Sequence, residues 1–337
     1  MYLEHFRLQR HPFRITPDTE FFFNGGARGA ILDALLYALT SGEGIVKVTG
    51  EVGSGKTMLC RALEGKLDQK FEVIYLANPG LAATEILQAI AWELKLPITD
   101  NPGQLSLLQT INNYLLDRHA AGRRVVLFIE EAQNMPLATL EEIRMLANLE
   151  TSTDKLLQIV MFGQPELEEI LGKHSIRQLR ERITHSFNLA PLDSAEVDEY
   201  LRFRLGIAGC PNPGLFVPKA SRIIAETSQG LLRRINILAD KAMLAAYAEH
   251  SPRIEAHHAK AASQDSAFPS LPEQRFSRLL KWRPLAVGAG ALLLIVALLA
   301  IGYGVGLFLK QEEGVAVIGQ QFKVTLAAGP SSPGEGQ

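Results

Sequence analysis

A glycine-rich octapeptide has the residue types and spacing of a phosphate-binding loop. Residues 50–57 read Gly-Glu-Val-Gly-Ser-Gly-Lys-Thr and match the pattern G-x-x-x-x-G-K-[ST] in full. Glycines permit the positive-φ backbone with which successive N–H groups surround a phosphate, and a following helix attracts the same anion. The residues predicted to bind the nucleotide are Gly50, Glu51, Val52, Gly53, Ser54, Gly55, Lys56, Thr57 and Met58.

Two side chains of this loop have separate predicted roles. Lys56 reaches the β- and γ-phosphates of ATP, and Thr57 gives its hydroxyl to Mg²⁺. An apolar run, residues 45–48, precedes the loop, and a helix-like run, residues 57–66, follows it. This context favours nucleotide binding over the alternative, a glycine-rich turn without a ligand.

Two carboxylates follow a second apolar run. Residues 125–129 are wholly apolar, and Glu130 and Glu131 come directly after them. Hydrolysis needs an acidic group at the metal and a base for the attacking water. We predict that Glu130 lies in the inner or outer shell of Mg²⁺ and that Glu131 polarises the water. The alternative is a pair of solvated glutamates at a strand end.

The amide of Gln164 follows the next apolar run and precedes Pro165. A glutamine at this edge of a sheet can orient water near a γ-phosphate, as in other NTPases. We therefore count Gln164 among the catalytic residues, together with Lys56 and Glu131. The alternative is a turn residue before the proline.

Several arginines are further candidates for the site. We predict that Arg180, or else Arg177 or Arg182, offers its guanidinium to the γ-phosphate of a neighbouring subunit. This predicts a homo-oligomer with active sites at its interfaces; the alternative is a solvated basic face. Arg233 follows a glycine at a predicted helix start and would direct its charge back at the nucleotide, which links hydrolysis to movement of that helical part.

Strand and helix patterns alternate around these residues, which predicts an α/β fold with a parallel sheet and helices on both faces. The predicted strands cover residues 45–49, 71–76, 125–129, 156–162 and 183–189. After residue 190 only helical patterns remain, over residues 194–205, 218–227, 231–249 and 254–262. Ligands of parallel sheets bind at the carboxyl ends of the strands, where the loop and both glutamates are expected.

A long uncharged segment predicts one transmembrane helix. Residues 285–309 contain no Asp, Glu, Lys or Arg and would span about 37 Å as a helix. Four basic residues lie just before the segment, at positions 275, 278, 281 and 283, whereas Lys310 alone lies just after it. The positive-inside rule then places the N-terminal part in the cytoplasm of a bacterium and residues 310–337 across its inner membrane.

Composition excludes several other classes of protein. The chain has 34 basic and 36 acidic residues among 337, so its net charge does not predict a nucleic-acid partner. Two cysteines make no disulfide framework. The eight histidines show no zinc-site spacing, and we expect a surface role for all of them.

These segments resemble the AAA+ ATPases, and more narrowly the ExeA/GspA-type general secretion ATPases and the related MSHA-pilus ATPases. The resemblance covers about residues 1–262 and rests on M-Y-L-E-H-F at residues 1–6, the phosphate loop, E-A-Q at 131–133, F-G-Q-P-E-L at 162–167 and R-R-I-N at 233–236. It implies an inner-membrane ATPase that works with secretion or pilus assembly proteins. It also implies sensor roles for Gln164 and Arg233, and an adenine pocket lined by the N-terminal segment.

The residue patterns and the resemblance together divide the chain into six expected parts. These are an adenine-side segment (1–43), a P-loop AAA+ core (44–190), a small helical lid (191–263), a linker (264–284), the transmembrane helix (285–309) and a short disordered periplasmic tail (310–337). The family carries a peptidoglycan-binding domain beyond the span, and we expect no direct cell-wall binding from a tail this short.

The chain departs from the family at Glu130, where the family has aspartate. The extra methylene shifts the carboxylate by about 1.5 Å, and Mg²⁺ demands near-ideal octahedral geometry, so we expect lower metal affinity or turnover. This departure keeps open a nucleotide-gated scaffold with little turnover. Another alternative is a DNA-associated AAA+ switch of the transposition-helper type, which the predicted span and the balanced charge disfavour.

Overall fold

Five parallel strands form a sheet within the residues that this computed structural model describes, 2–76, 78–97 and 103–269. The strands are β1 (Ile45–Gly50), β2 (Phe71–Leu76), β3 (Arg124–Ile129), β4 (Leu157–Gly163) and β5 (Ile183–Leu189). Their order across the sheet is β2-β3-β4-β1-β5. Since every pair is parallel, all five carboxyl ends lie at one edge. The predicted α/β class with a parallel sheet is confirmed.

Helices connect the strands and continue after the last one. Those of the sheet region are α2 (Arg28–Thr40), α3 (Lys56–Lys66), α4 (Ala83–Glu93), α5 (Gln104–Ala120), α6 (Leu137–Leu146), α7 (Glu166–Leu171) and α8 (Arg177–Glu181). A short α1 (Tyr2–His5) begins the described chain, and α9 (Ser194–Ile207), α10 (Pro218–Ser228), α11 (Leu232–Ala248) and α12 (Ala256–Gln264) follow β5. The short helices α7 and α8 were absent from our prediction.

Two apolar layers cover the faces of the sheet. Successive side chains of a strand point to opposite faces, so Leu127 and Ile129 of β3 join a core with α4, α5 and α6. Val126 and Phe128 of the same strand join the other core, with α2 and α3. Burial on both faces explains why the sequence of β3 is continuously apolar rather than alternating.

The helices α9–α12 form a third core, and the N-terminal segment is part of it. Tyr2, Phe6 and Phe13 pack among buried side chains of these four helices. Helix α2, by contrast, packs on the sheet with α3. The segment predicted as one unit over residues 1–43 is therefore shared between two cores, because its aromatic half and its helical half bury their apolar surfaces separately.

One histidine does not have the surface role that we expected. His258 in α12 is 1% exposed, and its Nδ1 accepts a hydrogen bond from the Glu255 N–H at 2.9 Å. Its Nε2 lies 3.0 Å from a carboxylate oxygen of Glu249, which also contacts His257. Because the backbone N–H needs a lone pair on Nδ1, the neutral ring carries its proton on Nε2. This joins the end of α11 to α12 by a hydrogen bond.

The chain divides into two units, Met1–Pro269 and Ser270–Gln337, and the described residues all belong to the first. In that part of the chain, no helix has both the length and the apolar character that a membrane crossing requires. The predicted span over residues 285–309, the tail over 310–337 and the linker from residue 270 onward lie outside the described residues.

Candidate functional site

The predicted site residues of three different strands meet at the carboxyl edge of the sheet. The phosphate loop follows β1, Glu130 and Glu131 follow β3, and Gln164 follows β4. Because β4 lies between β3 and β1, Gln164 is placed between the loop and the acidic pair. The hydroxyl of Thr57 donates to Glu130 Oε2 at 2.6 Å, which joins the loop directly to the end of β3.

The phosphate loop has the backbone that its glycines permit. Gly53 has φ +82° and Gly55 has φ +105°, conformations that other residues adopt only under strain. A Cβ on Gly53 would lie 2.8 Å from Arg233 Cβ, and one on Gly55 would lie 2.9 Å from Leu232 Cδ1. Both glycines therefore also allow the N-terminus of α11 to approach the loop.

Lys56 is 7% exposed and is held by the loop itself. Its Nζ donates to the carbonyl oxygens of Gly50 at 2.7 Å and Glu51 at 3.1 Å. Burial lowers the pKa of Lys56, and the surrounding carboxylates of Glu131, Glu51 and Glu130 oppose this shift. The ammonium is thus held at the loop, within the electrostatic influence of the acidic pair.

Two amides orient the carboxylate of Glu131. Its Oε2 accepts hydrogen bonds from Gln133 Nε2 at 2.7 Å and from Gln164 Nε2 at 2.9 Å. Gln133 Oε1 in turn accepts from the Gln164 N–H at 3.0 Å, so the three residues form one network. Partial burial alone would raise the pKa of Glu131, but the two amides and the charge of Lys56 outweigh burial and lower it. Glu131 is therefore a carboxylate at neutral pH.

Gln133 has a part in this network that sequence reasoning missed. We quoted it within a motif but assigned it no role. The signal that could have found it is its spacing, two residues after the predicted base in a short 3-10 helix over Ala132–Asn134. Glu131 itself has φ +52°, in the left-handed region, so the chain turns away from the direction of β3 at this residue.

Thr57 and Glu130 offer the donor set that Mg²⁺ prefers. Both supply oxygen atoms, and the 2.6 Å hydrogen bond between them shows that the two oxygens reach one point. The residues therefore fit a magnesium ion held between Thr57 and Glu130.

A cavity of about 260 Å³ lies beside the loop. Its wall combines the loop residues Gly53, Gly55, Lys56, Thr57 and Met58 with Glu131, residues of the N-terminal segment and residues of α9 and α11. The members of this wall that our sequence analysis did not assign include Arg14, Phe21, Arg28, Tyr200, Arg204 and Asn236. These side chains come from distant parts of the chain: Asn236 ends the R-R-I-N motif, and Arg14, Phe21 and Arg28 lie in the segment expected to line an adenine pocket, but none was given a role of its own.

A buried guanidinium holds the N-terminal wall of the cavity. Arg204 in α9 is 3% exposed and donates to the carbonyl oxygens of Pro12 and Arg14. Its guanidinium carbon lies 4.3 Å from the centre of the Phe21 ring, a cation–π geometry. The N-terminal segment therefore lines the cavity because α9 fixes its backbone.

The predicted arginines divide into two groups. Arg233 lines the cavity, and its backbone N–H donates to the Gly53 carbonyl at 3.1 Å. Arg177, Arg180 and Arg182 are all exposed and do not line this cavity. Arg177 forms an ion pair with Glu181 at 2.8 Å on the surface of α8. Among the described residues, the structure thus brings Arg233 to the loop and leaves the other three on the surface.

The chain is similar to known proteins in sequence and in fold. A protein-family model described as an AAA domain matches residues 39–171. The chain is 42% identical over 254 residues to general secretion pathway protein A of Aeromonas hydrophila. That match covers 75% of this chain and 46% of the relative, so the chain spans about half the relative's length.

Solved structures show the same fold at low identity. The ORC2 protein of Aeropyrum pernix matches with a TM-score of 0.58 and 17% identity, over 78% of this chain and 73% of that one. Cdc6p of Pyrobaculum aerophilum matches with a TM-score of 0.57 and 18% identity, over 75% and 72% of the two chains. The RuvB branch migration motor of Thermotoga maritima gives 0.51 and 17%, over 76% and 73%. These likenesses concern the fold alone.

Proposed function

We propose that this chain, which belongs to the AAA+ ATPases of the ExeA/GspA type, binds ATP with Mg²⁺ and hydrolyses it. The energy would drive the assembly or operation of a bacterial secretion system or a type IV, MSHA-like pilus. The observation that carries the proposal is the arrangement of the loop and the acidic pair. Thr57 contacts Glu130 at 2.6 Å, while two amides orient Glu131 beside them.

Each side chain at this edge would have one task. The loop N–H groups and Lys56 bind the phosphates, and Thr57 with Glu130 would hold Mg²⁺, which neutralises phosphate charge when bound. Glu131 accepts the proton of the attacking water, and the amide of Gln164 keeps that carboxylate in place. Arg233 approaches the phosphates from α11, so closure of the helical part over the cavity would complete the site.

The cellular setting rests on the relative and on the sequence. The relative's name supports a role in secretion, and the uncharged segment over residues 285–309, with basic residues before it, supports an inner-membrane anchor. The ATPase part would then lie on the cytoplasmic side. Exposure of Arg177, Arg180 and Arg182 away from their own cavity supports a homo-oligomer in which one of them reaches a neighbour's site.

Replacing Lys56 with alanine tests the proposal. We expect the affinity for ATP to fall by about tenfold or more, because charge-assisted hydrogen bonds to phosphate are lost. Phosphate release should fall to the background level. Equilibrium binding of a fluorescent ATP analogue and steady-state phosphate release measure the two effects. The matched control is Lys66→Ala on the same helix, where an exposed lysine pairs with Asp33 at 3.3 Å.

Two outcomes would contradict parts of the proposal. If the Lys56→Ala protein bound ATP as the natural chain does, the loop would not be the nucleotide site. If the natural chain bound ATP but released no more phosphate than the variant, the proposed ATP hydrolysis would be refuted. The alternative function, a nucleotide-gated scaffold, would then be the one supported.

Replacing Glu130 with aspartate tests the metal assignment. The shorter side chain withdraws the carboxylate from Thr57 by about 1.5 Å, one C–C bond, and makes room for an octahedral ion. We expect the Mg²⁺ concentration that gives half-maximal ATP binding to fall, on the order of tenfold. Titration of Mg²⁺ against the bound fluorescent analogue measures this without turnover. An unchanged Mg²⁺ requirement would show that Glu130 does not hold the ion, and a higher one would refute the expected gain from the shorter side chain.

A further inference from the structure

Arg28 is a buried cation beside the phosphate loop that the proposed chemistry does not use. It is the first residue of α2, it is 3% exposed, and it lines the cavity. Its Nη2 donates to the carbonyl oxygens of Ser54 at 3.2 Å and Ala190 at 3.1 Å. Its Nη1 donates to the Gly26 carbonyl at 3.3 Å. One guanidinium therefore joins the loop to the end of β5.

Burial of this charge needs an explanation, because a buried ion without a paired counter-charge is costly. Among the described residues, no carboxylate lies within ion-pair distance of Arg28, and its Nε has no hydrogen-bond partner. Burial lowers the pKa of the guanidinium, and the nearby Glu196 carboxylate opposes that shift. Three backbone carbonyls accept its hydrogen bonds, and the carbonyl of Ser54 is the one that belongs to the phosphate loop.

The contact with Ser54 fixes the direction of one peptide unit. The C=O of Ser54 and the N–H of Gly55 belong to the same trans peptide and point in opposite directions. Arg28 holds the carbonyl on its own side, which turns the Gly55 N–H the other way. Within the described part of the chain, that N–H donates to no acceptor, and Gly55 lines the cavity. Phosphate binding by such a loop depends on N–H groups held in this orientation.

The contact with Ala190 adds a second link. Ala190 follows β5 directly and begins the connection to α9. Because the same Nη2 bonds both carbonyls, the loop peptide and the start of this connection are held at one atom. A shift of the connection would therefore move the guanidinium, and the guanidinium would move the peptide.

We propose that Arg28 is a positioning residue that presents the Gly55 N–H to phosphate and couples the loop to the connection at Ala190. The inference rests on the proposed nucleotide binding. Arg204, the other buried guanidinium of the cavity, holds the N-terminal wall and not the loop. The two arginines should therefore affect different parts of the nucleotide: Arg28 the phosphates and Arg204 the adenosine.

The experiment compares Arg28→Gln with Arg204→Gln in the full chain. Inorganic pyrophosphate and adenosine compete separately for a fluorescent ATP analogue. We expect Arg28→Gln to weaken pyrophosphate binding about tenfold or more, by loss of charge-assisted hydrogen bonds, and to leave adenosine within about twofold. Arg204→Gln should do the reverse. Arg222→Gln, an exposed arginine of α10, should change neither.

Arg28→Lys is the control for loss of the fold, because lysine keeps the positive charge but forms hydrogen bonds with fewer carbonyls at once. We expect a folded protein with an intermediate loss of pyrophosphate affinity. Equal losses for pyrophosphate and adenosine in the Arg28 variants, unchanged binding, or an unfolded Arg28→Lys protein would each overturn the inference. If the natural chain bound neither ATP nor pyrophosphate, the proposed function itself would fail, which is a distinct result.

Discussion

Replacing Glu131 with glutamine should stop ATP hydrolysis while ATP stays bound. A positioned general base contributes on the order of 10²–10⁴-fold to a rate, and turnover should fall by about that factor. Glutamine has nearly the same shape and can accept a hydrogen bond from Gln164 as glutamate does. It has no basic carboxylate, however, so the attacking water would lose its proton acceptor.

Steady-state phosphate release measures the loss, and equilibrium binding of the fluorescent ATP analogue shows whether ATP is retained. The control is Glu169→Gln, which changes an exposed carboxylate of α7 outside the cavity. Unchanged turnover in Glu131→Gln would refute the assignment of the base. A loss of ATP binding equal to that of Lys56→Ala would instead assign Glu131 to binding.

The direction of the pKa shift adds a pH test of the same residue. Glu131 acts as a base only while it is ionised. Although burial opposes ionisation, Gln164, Gln133 and Lys56 lower its pKa below that of an ordinary glutamate. Activity should therefore persist at neutral pH and decline only below the usual glutamate range. An acid limb above that range would show that another group limits the reaction.

Replacing Gly230 with alanine should destabilise the fold by about 3 kcal/mol. Gly230 has φ +74°, and its added Cβ would lie 2.0 Å from the Leu192 carbonyl oxygen, a backbone atom that cannot step aside. A positive φ costs a residue with a Cβ about 1–2 kcal/mol, and overpacking costs about 1–3 kcal/mol more. At this chain size, with an unfolding entropy of about 2.1 cal/mol/K per residue, the thermal midpoint should fall by about 4 °C.

Nucleotide affinity should fall as well, because Gly230 precedes α11. The Leu192 N–H donates to the Gly230 carbonyl at 3.0 Å, and the Arg233 N–H donates to Gly53 at 3.1 Å. Displacing Gly230 would thus move Arg233 from the loop. Gly206→Ala is the matched control. A Cβ added to this glycine of α9 has no neighbouring atom within 4 Å, and alanine is more favourable than glycine in a helix by about 1 kcal/mol. Equal stability of the two variants would contradict the steric argument.

Local patterns predicted most of the sheet. The five observed strands lie within one residue of the predicted ones at each end. The buried inner strands β3 and β4 read as short apolar runs, whereas the edge strand β5 alternates between less and more exposed side chains. The phosphate loop was equally visible, since eight adjacent residues carry all of its requirements. The helices α7 and α8 were missed because each is short and neither repeats an apolar period long enough to be recognised.

The remainder of the site depends on packing between distant segments. Gln133 and Gln164 both bind the carboxylate of Glu131, and although each lies near the expected edge of the sheet, no local pattern indicates that both amides reach one oxygen. Arg28 and Arg204 are similarly hidden, because each binds backbone carbonyls, and a carbonyl is present at every residue. A sequence motif records side-chain identity and therefore cannot record such partners.

The sequence by itself determined the sheet, the loop, the acidic pair and the family of this protein, because each can be recognised from short runs of adjacent residues. Only the tertiary structure decided that α9 holds the N-terminal segment against the cavity, that Arg28 and Arg233 meet the loop, and that Arg180 does not reach its own site. The physical reason is that these contacts join residues far apart in the chain, and their positions follow from how three apolar cores pack.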